Sequence, residues 1–251
     1  MAKDIIIKQL QKELTGKTFL SREALYDFFL KSDPDLKEST FRWRVYQLKE
    51  RRIVTPLSKN LFSLSYKPDF KPEIGNYEKR ISSRLEKQFS GLKYCIWSTK
   101  AVSEFMLHIP VIYLTILQVE KDALEPVFEF LKASKPGRVY IQPDGKEIGR
   151  YIFDTEQAIV LQSLVSRAPT QRVGRVPTIT IEKMIVDLFS DKILFIAFQG
   201  SELVHIVNNA FQHYSINFTR LIHYAGRRRR EKDIKQFLLE KTDIPKVILN
   251  D

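Results

Sequence analysis

The stretch Ser39–Val54, STFRWRVYQLKERRIV, decides the reading of the N-terminal part of this chain. Phe41, Val45 and Leu48 fall at i, i+4 and i+7, one apolar stripe on an otherwise polar helix. Ser39 stands as the N-cap, so a helix is predicted from Thr40 to about Arg52. The face opposite the stripe carries Arg42, Trp43, Tyr46, Gln47 and Glu50, with Thr40, Arg44 and Arg51 at its sides. Such a helix needs neighbours for its stripe, and the flanking sequence supplies them.

Upstream, Ile6, Ile7, Leu10 and Leu14 predict an amphipathic helix over Asp4–Leu14, ended by Thr15-Gly16. Phe19-Leu20 reads as a short extended link. Ser21 caps a second helix, SREALYDFFLK, which Asp33-Pro34 breaks. Downstream, Ile53–Pro56 is a strand, Ser58-Lys59-Asn60 a turn, and Leu61–Ser65 a returning strand. Three helices closed by a β-hairpin make the layout of a winged helix-turn-helix, expected over residues 1–66. The stretch KPDFKPEIG then reads as a linker. Tyr77, Ile81, Leu85 and Phe89, four apart, predict a connecting helix, so residues 67–91 join two domains.

From residue 92 to 251 the texture is mixed α/β. Strands are predicted at Tyr94–Trp97, Ile112–Val119, Arg138–Ile141, Ile148–Ile152 and Ile159–Val165. Ser98 caps a helix through Leu107, Asp122–Ala133 is a second, and Thr180 caps a third, IEKMIVDLF. Helices near 201–213, 218–225 and 231–240 complete a helical C-terminal end. The fold class expected is α+β: a winged helix-turn-helix followed by a mixed α/β domain.

Charge is distributed unevenly over this layout. Of a formal +11, residues 1–100 hold 21 Lys/Arg against 12 Asp/Glu. Residues 101–224 hold 12 against 13, and residues 225–251 hold 8 against 5. A basic terminal module on a neutral domain is the pattern of a protein that meets polyphosphate. On the third helix, Arg42, Arg44 and Gln47 suit base edges, with Trp43 beside them. Ser39 and Thr40 at the positive helix end suit a phosphate oxygen, and Lys59 at the hairpin turn suits an adjacent one. Double-stranded DNA is the expected partner.

Other chemistries find less support. The single Cys95 excludes an intramolecular disulfide and a thiolate-rich zinc site. His108, His205, His213 and His223 form no metal-binding pattern. Nine glycines and no glycine-rich loop argue against a dinucleotide fold, and no cofactor is expected. No apolar run reaches the length of a membrane span, so no membrane partner and a cytoplasmic location are expected. The rival is a magnesium-dependent nuclease or nucleotide-processing enzyme using Asp144, Glu147, Glu182, Asp187 and Asp191. An acid-x-lysine element after Asp144 is missing, and a non-enzymatic role is favoured. The run Arg227, Arg228, Arg229 and Arg230 is a candidate for phosphate or acidic-partner contact.

Four segments, taken in order, resemble the antitoxin component of the AbiE abortive-infection systems. They are STFRWRVYQLKERRIV, IWSTKAVSEFMLH, TITIEKMIVDLF and LIHYAGRRRR. The resemblance implies a transcriptional regulator that represses its own operon through the winged helix. Its C-terminal domain would counteract a nucleotidyltransferase-like toxin, directly or indirectly.

Overall fold

The structure is a computed structural model that describes residues 19–134, 137–152, 155 and 157–249. The helix expected over Asp4–Leu14 lies outside the described residues. The chain is mixed α/β and forms two compact units. Of the described residues, the first holds those from 19 to 69 together with 213–219 and 245–249; the second holds those from 70 to 212 and from 220 to 244.

In the first unit, β1 (Phe19–Ser21) leads into α1 (Arg22–Leu30), and α2 (Glu38–Glu50) follows. The hairpin β2 (Thr55–Pro56) and β3 (Leu61–Ser63) closes the set. Ser21 caps α1 as its sequence position predicts, accepting from the Ala24 amide at 3.0 Å. For α2 the expectation is corrected. Lys37 is the N-cap and makes no side-chain cap bond, while Ser39 sits inside the first turn. Glu38 carries that turn: it complements the positive helix end and is ion-paired to both Arg22 and Arg42. The helix stops at Glu50, short of Arg52, because Arg52 takes a left-handed φ of 60°. The Ile53 amide then closes back on Leu48 O at 2.9 Å.

Phe19-Leu20 is a strand and not a link. β1 pairs antiparallel with β3, Leu20 opposite Phe62, and β3 pairs on its other side with β2, Pro56 opposite Phe62. The core of this unit is Leu20, Leu25, Phe29, Leu36, Phe41, Leu48, Val54 and Phe62. Phe41 meets Tyr26 edge-on with centroids 5.0 Å apart. The returning segment 213–219 fastens the hairpin. Phe218 donates its amide to Leu57 O at 2.8 Å, and Thr219 Oγ1 accepts from the Lys59 amide at 3.1 Å. Residues 213–219 and 245–249 thus leave the C-terminal domain to which the sequence assigned them.

The second unit opens with α3 (Asn76–Gln88) and is built on four strands. These are β4 (Tyr94–Ser98), β5 (Thr115–Val119), β6 (Val139–Ile141) and β7 (Ile159–Ser163), in the order β4-β5-β7-β6. β5, β7 and β6 are parallel, and β4 runs antiparallel to β5. The connection from β5 to β6 runs through α4 (Leu124–Ser134). One sheet face presents Ile96, Leu117, Val119, Ile159 and Leu161 to Ile81 and Leu85 of α3 and Val127 and Leu131 of α4. The helix read as a connector is therefore part of this core, because its apolar stripe needs a sheet to cover it.

Two further expectations change. Ile148–Ile152 is a helical turn and no strand, because Asp144 and Glu147 form a reciprocal capping box that starts a helical turn just before it. Between Val165 and Thr180 lies an unforeseen hairpin, β8 (Thr170–Val173) and β9 (Val176–Ile179), with Gly174 at φ 60° in its two-residue turn. Thr180 then caps α5 (Ile181–Ser190), accepting from the Lys183 amide at 3.3 Å. This helix meets the second sheet face through Gln118. The helices α6 (Ser201–His213), α7 (Phe218–Arg227) and α8 (Glu231–Lys241) follow. Among the described residues no helix is long and apolar enough to cross a membrane.

Candidate functional site

Helix α2 divides its residues as the periodicity requires. Phe41 and Leu48 are buried, Val45 is half-buried, and Ser39, Arg42, Trp43 and Tyr46 are exposed. Thr40 and Gln47 are half-buried beside them. Two aromatic rings, Trp43 at 48% and Tyr46 at 56% exposure, stand on one helix face. Arg42 leans on Glu38 at 3.0 Å but stays open to solvent. Ser39 and Thr40 occupy the first turn, where backbone amides without helical acceptors favour an anion.

Arg44 is placed differently from Arg42. It turns inward to Asp33, at 2.5 Å, and its guanidinium lies over the Phe29 ring at 5.2 Å. It therefore braces α2 against the turn after α1, which takes it out of the set suited to base edges. Lys59 is exposed at the hairpin turn, with its backbone held by Thr219.

The carboxylates do not converge. Asp144 and Glu147 cap their own helical turn. Glu182 faces Arg220 at 3.4 Å. Asp191 accepts from the Leu194 amide at 3.1 Å and from Gln162 at 3.2 Å. Among the described residues no group of three or more His, Cys, Asp or Glu is placed to hold a metal.

Asp187 belongs to a constellation that the sequence did not reveal. Every residue from Ile181 to Leu188 is buried, Lys183 among them. The Lys183 ammonium donates to Asp187 one helical turn on, to Gln118 Oε1 at 2.5 Å and to the Tyr224 hydroxyl at 3.3 Å. Tyr224 in turn donates to Asp187 Oδ1 at 2.7 Å, and Gln118 Nε2 approaches Oδ2 at 3.4 Å. All three ammonium protons thus have acceptors, the condition for keeping a charge in a dry interior. Burial and the neighbouring Asp187 carboxylate push the Tyr224 hydroxyl far above its ordinary range. Burial also pushes the Cys95 thiol up to about 12, so it stays protonated and unreactive.

The four arginines at the end of α7 are not one clamp. Arg227 donates to Ser166 O at 3.3 Å. Arg228 reaches in to Asp187 at 3.8 Å. Arg229 takes the left-handed position that ends α7, at φ 58°. Arg230 pairs with Asp233 at 3.1 Å at the start of α8. The densest charge in the sequence is therefore a helix junction with one arm on the buried network.

A search of curated proteins returned no match. A family match runs over residues 40–244, taking in most of α2, the hairpin and the whole second unit. The chain belongs to that family, a family of unknown function designated DUF6577.

Proposed function

We propose that this protein is a DNA-binding transcriptional regulator that seats α2 in the major groove of an operator. The exposed face of α2 carries the proposal: Arg42, Trp43 and Tyr46 stand out on a helix whose other stripe is buried. The order strand, helix, helix, hairpin, with the first strand paired to the last, supports a winged-helix reading of this unit. The basic excess of residues 1–100 supports a polyanionic partner. Arg42 and Gln47 are the base-reading residues in this proposal, with Trp43 beside them. Ser39, Thr40 and Lys59 hold phosphates. On the resemblance to AbiE antitoxins, the regulator would be a cytoplasmic autorepressor that opposes a nucleotidyltransferase-like toxin.

The test is a binding titration on two duplexes, the protein's own promoter and a scrambled sequence of equal length. Wild type is expected to prefer the promoter. Arg42→Ala is expected to reduce that preference by about 1–3 kcal/mol, the worth of a bidentate base contact. Equal affinity for both duplexes, unchanged in the variant, would turn the proposal down and leave α2 as a protein-docking face.

A further inference from the structure

A groove of about 880 Å³ opens in the second unit, beyond the carboxyl ends of β5 and β7 and beside the start of β4. Its walls are the chain just after Val119 and Ser163, and the strand β8. In open α/β sheets this edge is where ligands gather, because the loops leaving adjacent parallel strands diverge there. The volume falls within the range of about 300–1,000 Å³ usual for small-molecule sites.

Lys93, Lys121, Arg167 and Arg172 line the groove, and Glu120 is its one carboxylate. Glu120 is partly spent on Lys93, at 3.3 Å. Lys121, Arg167 and Arg172 come from residues 101–224, a stretch close to neutral overall, whereas Lys93 belongs to the basic first hundred residues. Arg227 adds to it by donating to Ser166 O on the groove wall. Leu92 and Pro177 give the same cavity an apolar portion.

The backbone at Arg167 is a separate observation. Ala168 closes a tight turn onto Val165 O at 3.0 Å, and Arg167 sits in it at φ 58°. A turn position with positive φ suits glycine, because a Cβ there crowds the backbone. Arg52 and Arg229 take the same region where their helices end, so the φ alone does not call for a ligand; here it fixes the turn that places Arg167 in the groove wall.

We propose that this groove binds a nucleoside polyphosphate, its phosphates held by Lys121, Arg167 and Arg172 and its base and sugar against Leu92 and Pro177. A single cluster of cations meets the compact charge of a polyphosphate chain, and the apolar patch gives the nucleoside a place that inorganic phosphate would leave empty. The site does not depend on the DNA-binding proposal for α2. If both hold, the second unit is where a nucleotide signal enters the regulator.

Calorimetric titration of the full chain with ATP, sodium triphosphate and a single-stranded oligothymidylate tests this. Wild type is expected to bind ATP more tightly than triphosphate, and less tightly as salt rises. Arg167→Gly relieves the backbone while removing the cation. It should leave the urea midpoint unchanged or higher and weaken ATP by about tenfold or more, as expected for one lost charge-assisted hydrogen bond. Lys121→Ala, at an exposed side chain, should weaken ATP similarly and serves as the second variant if Arg167→Gly folds poorly. Failure of wild type to bind ATP overturns the proposal, as does ATP binding that neither variant changes. Oligothymidylate binding lost in both variants, with no ATP binding, also overturns it, in favour of a groove for a nucleic-acid strand. None of these outcomes bears on promoter recognition by α2, which the duplex titration reads.

Discussion

Helices α2 and α5 both carry several charged residues, and they use them in opposite ways. On α2 the Arg42 side chain is 73% exposed. On α5 the Lys183 side chain is fully buried and hydrogen-bonded on three sides. An exposed charge costs little and adds little to stability, so nothing in folding demands that Arg42 be where it is. A buried charge must be paired, and folding alone explains the arrangement around Lys183. The contrast is the reason the proposed function rests on the helix whose exposed charge folding does not need.

The sharpest way to break this contrast is to remove the buried cation. Lys183→Met leaves Asp187 in the interior with Tyr224, Gln118 and the more distant Arg228. The expected loss is about 3–5 kcal/mol in urea unfolding, the usual result of stranding one partner of a buried pair. Lys183→Met combined with Asp187→Leu should recover most of it, because two apolar residues strand no charge. A single variant that loses less than about 1 kcal/mol would mean that water reaches the pair, and α5 would then resemble α2 after all.

How much of this was legible depends on whether the deciding contacts are local. The stripe Phe41, Val45, Leu48 and the caps Ser21 and Thr180 are local, and they read correctly. So did the pairing of the segment after Ile53 with Leu61–Ser63 around the Ser58-Lys59-Asn60 turn. Local signals also misled. Ile148–Ile152 looks like a strand by composition, but the capping box of Asp144 and Glu147 sets a helical turn first. The hairpin around Gly174 is absent from the sequence reading, and Pro177, a residue that ordinarily argues against a strand, is tolerated on its two-stranded ribbon. What could not be read is non-local. The return of Phe218 and Thr219 to the hairpin joins residues about 160 positions apart. In IEKMIVDLF, Lys183 and Asp187 look like a solvated i, i+4 pair, and only Gln118 and Tyr224, distant in sequence, reveal that they are interior. The basic groove is likewise assembled from four separate segments.

A smaller effect separates two arginines two positions apart on α2. Arg44→Ala removes the brace to Asp33 and the cover over Phe29. It should cost about 1 kcal/mol of stability, mostly as lost packing and a part-buried ion pair. The ratio of promoter to scrambled-duplex affinity should stay at the wild-type value. A variant that loses discrimination while remaining as stable as wild type would return Arg44 to the reading set and show that it swings outward on DNA.

The smallest expected effect belongs to Lys59. Its side chain is exposed at a turn whose backbone is already fixed by Thr219 and by the Arg22 amide on Asn60 O at 2.6 Å. Lys59→Ala should therefore leave stability within about 0.5 kcal/mol of wild type, as for most surface substitutions. Its effect on binding should differ in kind from that of Arg42. A lysine on a phosphate reads no base, so promoter and scrambled duplex should weaken by the same factor. The slope of log affinity against log salt should flatten by about one, the release of one counterion per phosphate contact. The rigidity of the turn makes this a clean measurement, because the backbone that presents position 59 does not depend on the side chain removed. An unchanged slope would place the hairpin turn away from DNA, with α2 alone carrying the contact. A loss confined to the promoter would make Lys59 a base reader, and the division of labour between helix and hairpin would have to be redrawn.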